Sequence, residues 1–201
     1  GVDGKLCLNK ELIAGSVSEY DERGNMVSRR FYGVDGKPCL SKDLISRIVS
    51  GYDERGNMVS QRYYGVDGEP CLHRNGIAGF SNKYDERGKL IGSTAIGTDG
   101  KPCFSKDGVS SFTNKYDERG NIVETAFFDI NGKPWLSNEL IFRVVTEYDE
   151  RNNMVSRRYY GTDGKPCLHL DGYAGFISKY DDRGNMIESV FLGVDGKPCF
   201  T

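Results

Sequence analysis

A period of 32 residues runs through the chain without an insertion or deletion, and no other feature limits its fold so severely. The blocks are 1–32, 33–64, 65–96, 97–128, 129–160 and 161–192, with 193–201 as the start of a seventh; six times 32 plus nine gives 201. A unit this short cannot bury an apolar face alone, so such units stack and share one continuous core. The chain therefore reads as a single repeat array over 1–201, in which stability sums over each block and its interfaces.

Each block carries two strong turn signals. The first is Tyr-Asp-Glu-Arg-Gly-Asn, as at Tyr20 to Asn25. It fits a type I turn followed by a left-handed residue, the three-residue hairpin loop with a bulge. The left-handed position is predicted at Gly24, Gly56, Gly88, Gly120 and Gly184, and at Asn152 in block five, Asn being the residue that best replaces Gly there. The second signal is Gly-Val-Asp-Gly-Lys-Pro, as at Gly33 to Pro38, where Asp-Gly makes a tight turn and Pro limits pairing of the next strand. A weaker third signal lies at Ser105-Lys106-Asp107-Gly108 and its equivalents.

These signals divide a block into a short strand around Cys39-Leu40 and two long strands, near 45–52 and 58–64. Helical periodicity is missing throughout. The fold class is all-β: an elongated tandem array of 32-residue hairpin repeats, either a coiled meander or a β-solenoid. A three-residue loop predicts cross-strand partners in block one whose numbers sum to 46: Tyr20 with Met26, Ser18 with Ser28, Ser16 with Arg30. By that register Ile48 and Val144 face Arg62 and Arg158. Phe80, Phe112 and Phe176 face Thr94, Ala126 and Val190, and Glu19 and Glu147 sit diagonal to Arg29 and Arg157. Blocks one, two and five are cation-rich before an aromatic pair; blocks three, four and six have Phe in the preceding strand.

Composition excludes several functions. With 27 basic and 29 acidic residues the formal charge is -2, so no basic field exists to hold nucleic acid. No apolar run reaches the roughly 18 residues that span a bilayer, and no leader pattern opens the chain. The start without Met, mid-pattern, reads as a piece of a longer protein. Cysteine occurs once per block, at Cys7, Cys39, Cys71, Cys103, Cys167 and Cys199, with Trp135 in block five. That spacing suits no metal. Replacement by Trp argues for an apolar slot holding buried free thiols. The alternative pairs Cys7 with Cys39, Cys71 with Cys103 and Cys167 with Cys199, which requires blocks stacked at strand spacing.

The recurring Tyr, Asp and Arg of the first turn are read as local packing, capping and solvated residues, or else as a ladder facing an extended partner. Each turn offers too few acidic oxygens to cage calcium. His73 and His169, at one block position, do not assemble a catalytic pocket, so no enzyme, cofactor or metal is expected. The candidate binding residues are Arg29, Arg30, Tyr32, Arg62, Tyr64, Arg157, Arg158 and Tyr160, where aromatic rings beside guanidinium groups could hold a glycan or a protein.

The string Tyr-Asp-x-x-Gly-Asn followed by an aromatic pair and Asp-Gly, as in Tyr52 to Gly68, resembles the YD repeats of bacterial RHS proteins and teneurins. Those repeats are nearer twenty residues and lack the regular Lys-Pro-Cys-Leu. Arg-Tyr-Tyr-Gly-Val-Asp-Gly is similar to the aromatic hairpins of choline-binding and clostridial toxin repeats, and Tyr-Asp-Glu-x-Gly-Asn with Asp-Gly-Lys resembles MORN-type repeats. The resemblance implies a bacterial, surface or secreted modular protein. It makes a structural and interaction module the first expectation, and a wall segment of an RHS-like toxin-enclosing shell the second.

Overall fold

A computed structural model describes residues 7–199; the opening Gly-Val-Asp-Gly turn of block one lies outside them. Each block contributes one β-hairpin whose two strands are joined by the first turn. The strands are β1 (Gly15–Tyr20), β2 (Met26–Tyr32), β3 (Arg47–Tyr52), β4 (Met58–Tyr64), β5 (Gly79–Tyr84), β6 (Leu90–Ile96), β7 (Ser111–Tyr116), β8 (Ile122–Phe128), β9 (Arg143–Tyr148), β10 (Met154–Tyr160), β11 (Gly175–Tyr180) and β12 (Met186–Leu192). The chain divides into two compact units, Gly1–Lys106 and Asp107–Thr201. Within each unit consecutive strands pair antiparallel in sequence order, a meander and not a solenoid.

All three turns of a block close in the same way. In the first, Asp21 N–H donates to Asn25 O at 2.9 Å and Gly24 N–H to Asp21 O at 3.0 Å. In the second, Gly33 and Lys37 replace Asp21 and Asn25 at 2.9 Å; in the third, Ser41 and Ile45 do so at 2.8 Å. The fourth residue of each loop must be left-handed. Gly24, Gly56, Gly88, Gly120 and Gly184 have φ between 74° and 89°, and Asn152 shares their conformation at 65°. The predicted short strand at Cys39-Leu40 is not formed: after the second turn, Pro38 makes one isolated bridge to Tyr32.

The register requires a correction. Tyr20 does face Met26, but a bulge between Glu19 and Tyr20 shifts every later pair by one: Glu19 faces Ser28, Ser18 faces Arg29 and Ser16 faces Phe31. These sums are 47, because the loop bulge is followed by a second irregularity that leaves Val27 without an opposite residue. A one-residue slip exchanges the faces of a strand. Phe80 accordingly lies opposite Ala95, not Thr94, and Phe176 opposite Phe191, not Val190. Glu19 and Arg29 stand on opposite faces, as do Glu147 and Arg157. Two direct charge pairs were missed by the slipped register: Lys115 with Glu124 and Lys179 with Glu188, each at 2.8 Å.

One face of the first unit carries the core. Phe31 and Tyr63 from the sheet meet Ile13 and Ile45 from the third turns, all buried, with Cys39, Ile48, Cys71, Ile77 and Phe80 packed around them. In the second unit Ile141, Tyr159, Ala174 and Leu192 are buried. Each repeat thus supplies few fully buried side chains.

The third turn holds an unexpected feature. Blocks three, four and six place Gly76, Gly108 and Gly172 at its left-handed position, but blocks one, two and five place Leu12, Leu44 and Leu140 there, with φ of 62°, 67° and 63°. For a Leu side chain that conformation costs about 1–2 kcal/mol, and Leu44 is 55% exposed, so burial returns little. Leu44→Gly, which copies the chain's own blocks, should raise stability by about 0.5–1 kcal/mol after the added freedom of the unfolded Gly is subtracted. Chemical denaturation of the variant beside the parent chain measures this; a lowered midpoint would mean the Leu44 side chain packs more than its exposure indicates.

Candidate functional site

The first turn is built around its aspartate. Asp21 Oδ1 accepts from Arg23 N–H at 3.0 Å and Asn25 N–H at 2.8 Å, and Oδ2 from Asn25 Nδ2 at 2.9 Å. The same set recurs at Asp53 and Asp149. Donated hydrogen bonds favour the charged carboxylate, so Asp21, Asp53, Asp117, Asp149 and Asp181 lie below the usual range chiefly through the Asn side chain, and Asp85 through the Lys89 N–H.

The rest of the motif reaches into neighbouring hairpins. Arg23 Nη1 donates to Glu54 O at 2.9 Å, Arg119 to Asp149 O at 2.8 Å and Arg151 to Asp182 O at 2.7 Å; Arg55 reaches Glu86 O in the same way. In the other direction, Tyr52 Oη donates to Met26 O at 3.1 Å, Tyr84 to Met58 O at 3.0 Å and Tyr180 to Met154 O at 3.0 Å. At these turns the Tyr hydroxyl reaches the hairpin before and the Arg guanidinium the hairpin after, within one unit. Tyr20, the equivalent residue of block one, is 63% exposed.

The third turns are joined by their backbones: Lys42 N–H donates to Glu11 O, Arg74 to Asp43 O, Lys106 to Asn75 O and Asn138 to Asp107 O, at 2.9–3.1 Å. The cysteine position adds a side-chain link. Cys71 Sγ donates to Leu44 O and Cys167 Sγ to Leu140 O, both at 3.6 Å, and Trp135 Nε1 donates to Gly108 O at 3.0 Å. The slot is therefore polar at its end, which is what a thiol and an indole N–H have in common and what an apolar reading of Cys and Trp missed. The expectation of buried thiols is corrected as well. Cys39, Cys71, Cys103, Cys167 and Cys199 are free thiols and half-buried, and Cys7 is exposed, because the slot lies at the margin of the sheet. Burial first, then Asp35, Asp67, Asp99 and Asp163, raise the thiols of Cys39, Cys71, Cys103 and Cys167.

His73 and His169 occupy the first position of the third turn. His73 Nδ1 accepts from Asn75 N–H and His169 Nδ1 from Asp171 N–H, both at 3.1 Å. Asn9 Oδ1, Ser41 Oγ and Ser137 Oγ do the same work in other blocks. The imidazoles also pack on Tyr63 and Tyr159, with centroids 5.1 and 5.4 Å apart.

The eight candidate binding residues do not share a face. Arg29 and Arg157 lie on the core side, with guanidinium carbons 5.5 Å from the Phe31 centroid and 6.0 Å from that of Phe176; the buried Nε of Arg157 has no hydrogen-bond partner. The opposite face of the first unit collects Arg30, Tyr32, Arg62 and Tyr64, and that of the second unit Arg158 and Tyr160. Arg47 and Arg143, at the first residue of β3 and β9, belong with them. They were missed because the slipped register considered only pairs within a hairpin, whereas both meet the hairpin before: Arg47 faces Arg30, and Arg143 faces Ala126.

Where β4 meets β5, Arg62 faces Gly79, and where β10 meets β11, Arg158 faces Gly175. A Cβ at either glycine would collide with the carbonyl oxygen of Gln61 or Arg157 and press on the arginine. Arg143 is neutralised, with Nη1 3.2 Å from Glu124 Oε2 and its guanidinium 4.5 Å from the Tyr160 centroid. Burial pushes the Glu124 carboxyl up, but Lys115 and Arg143 outweigh it and hold it below its usual value. Among the described residues no cluster of His, Cys, Asp and Glu could hold a metal ion, and no helix is long and apolar enough to cross a membrane.

No family model and no curated protein matches the chain. Among solved structures it is similar to chains described as "Crystal Structure of TcdB2-TccC3-Cdc42" (17% identity, TM-score 0.40) and "Crystal Structure of TcdB2-TccC3" (14%, TM-score 0.41). The matches cover 88% and 91% of this chain and 9% and 10% of those chains, so it spans about a tenth of their length.

Two measurements probe these contacts. Trp135→Phe keeps the ring and deletes the donor to Gly108 O, so it should destabilise the chain by about 0.5–1.5 kcal/mol while Trp135→Cys, the residue of the other blocks, costs less; equal losses would assign the slot to packing alone. The first-turn aspartates have folded pKa values below the unfolded 3.8, so their contribution is complete above that value and is lost as pH falls through the folded values. Thermal midpoints should drop steeply below pH 4, and less steeply in Asp53→Asn.

Proposed function

We infer that the chain is a non-catalytic structural repeat module that presents one face of a hairpin array. The observation that carries this reading is the use made of the repeated polar residues. The Arg, Tyr and Asp of the first turn, the Cys or Trp slot and the two histidines are spent on turns and on contacts between hairpins, which supports a scaffold and leaves few chemistry-bearing groups for a reaction. Recognition of a glycan or a protein would fall on those strand residues of the face opposite the core that vary between blocks.

Substituting the linking residues tests the reading. Arg55→Ala and Tyr52→Phe in the 201-residue chain should each lower the denaturation midpoint, by about 0.5–1.5 kcal/mol for the hydroxyl, whereas Arg74→Ala, which removes only an exposed ion pair with Asp43, should move it by less than about 0.5 kcal/mol. Unchanged stability in the first two variants would mean that these residues are held for a purpose other than stacking, and the scaffold reading would fall.

A further inference from the structure

We propose that Arg30 and Arg47, with the ring of Tyr64, form a binding site for an acidic sugar unit, one carrying a carboxylate or a sulfate, on the face opposite the core. This goes beyond the scaffold reading, which requires no ligand.

Three observations meet at this place. First, Arg30 and Arg47 are direct cross-strand partners between β2 and β3, and Tyr64 faces Arg47 from β4, so two guanidinium groups and a ring lie in one row. Like charges directly opposite each other destabilise a sheet. Second, among the described residues no ion pair offsets them. Arg47 spends Nε on Ser28 Oγ at 3.1 Å, and among the described residues no carboxylate forms an ion pair with either side chain. Glu19 stands on the same face a row away, and Asp67 Oδ1 is held by the Glu69 N–H at 3.1 Å. Third, the row lines a depression of about 530 Å³ shared with Pro38, Ser46, Val49 and the turn at Gly65 to Gly68, so that two guanidinium groups stand against the single carboxylate of Asp67, in a space fit for one or two sugar rings.

The equivalent positions show that the arrangement is not imposed by the repeat. Arg62 and Arg158 meet Gly79 and Gly175, and Arg143 meets Ala126 and is neutralised by Glu124. Only at the junction of blocks one and two, among the junctions within each unit, are two arginines set against each other. An anionic oxygen pair between them would accept from both forks and remove their repulsion. A ring face beside that anion suits the apolar face of a pyranose better than a bare phosphate or sulfate ion.

The test uses the full chain with three probes: a heparin-derived hexasaccharide, its desulfated form, which keeps the carboxylates, and a neutral cello-oligosaccharide of equal length, with inorganic sulfate as competitor. Titration calorimetry should detect the acidic sugars and not the neutral one, with the desulfated form deciding between carboxylate and sulfate recognition. Arg47→Ser and Arg30→Ala, which copy residues the chain uses at Ser111 and Ala126, should each weaken binding at least tenfold while the thermal midpoint holds or rises. Arg143→Ser should leave affinity within twofold. The proposal is overturned if Arg143→Ser weakens binding as much as Arg47→Ser, which would make attraction diffuse. It is equally overturned if neither unit-one variant changes affinity, or if inorganic sulfate competes as strongly as the hexasaccharide, an adventitious ion only.

Discussion

Every other feature of this chain depends on one constraint: a 32-residue hairpin unit has too little apolar surface to hold itself, so it must be fastened to the next. The fastening is polar and directional. A guanidinium reaches forward to a carbonyl of the next turn and a phenol reaches back to a carbonyl of the preceding strand. Hydrogen bonds of this kind contribute modestly one at a time, but they recur with the period and fix the spacing at which the small cores come together. Leu44 in a left-handed turn position is tolerated within such a frame because backbone bonds hold its loop from the blocks on either side, Lys42 N–H to Glu11 O and Arg74 N–H to Asp43 O.

Much of this could be read from the residues. The period, the all-β class and the left-handed Gly and Asn come from turn chemistry, which is local. The register could not be read so far, although its first pair, Tyr20 with Met26, is right. A loop of known length fixes only the first rung; a bulge beyond it depends on how the strand twists against its neighbours, and no residue type announces it. The consequence was large, since one residue of slip moved Arg29 and Arg157 to the wrong face and concealed the Lys115–Glu124 and Lys179–Glu188 pairs.

The substitutions between blocks misled for a related reason. Residues at the start of β3, β5, β9 and β11 have partners in the previous hairpin, so their compensations cross block boundaries: Arg62 with Gly79, Ala126 with Arg143, Arg158 with Gly175. Comparing positions only within a block matched each residue to the wrong partner. The Cys and Trp alternation was likewise assigned to apolar packing because both residues favour burial, whereas what the slot requires is a donor of the right reach.

A repeat array offers its own control for assigning roles. Where residues of unlike chemistry perform one geometric task at equivalent places, the task belongs to the fold: Asn9, Ser41 and His73 all accept a turn N–H, so the histidine there is an acceptor that happens to be an imidazole. Where a residue does something that its equivalents do not, and does it at a cost to the sheet, the fold does not account for it. Most of the arginines on the outer face carry no such cost, since they stand opposite glycine or alanine or are neutralised by a carboxylate. Arg30 and Arg47, set against each other in one row, meet the second criterion.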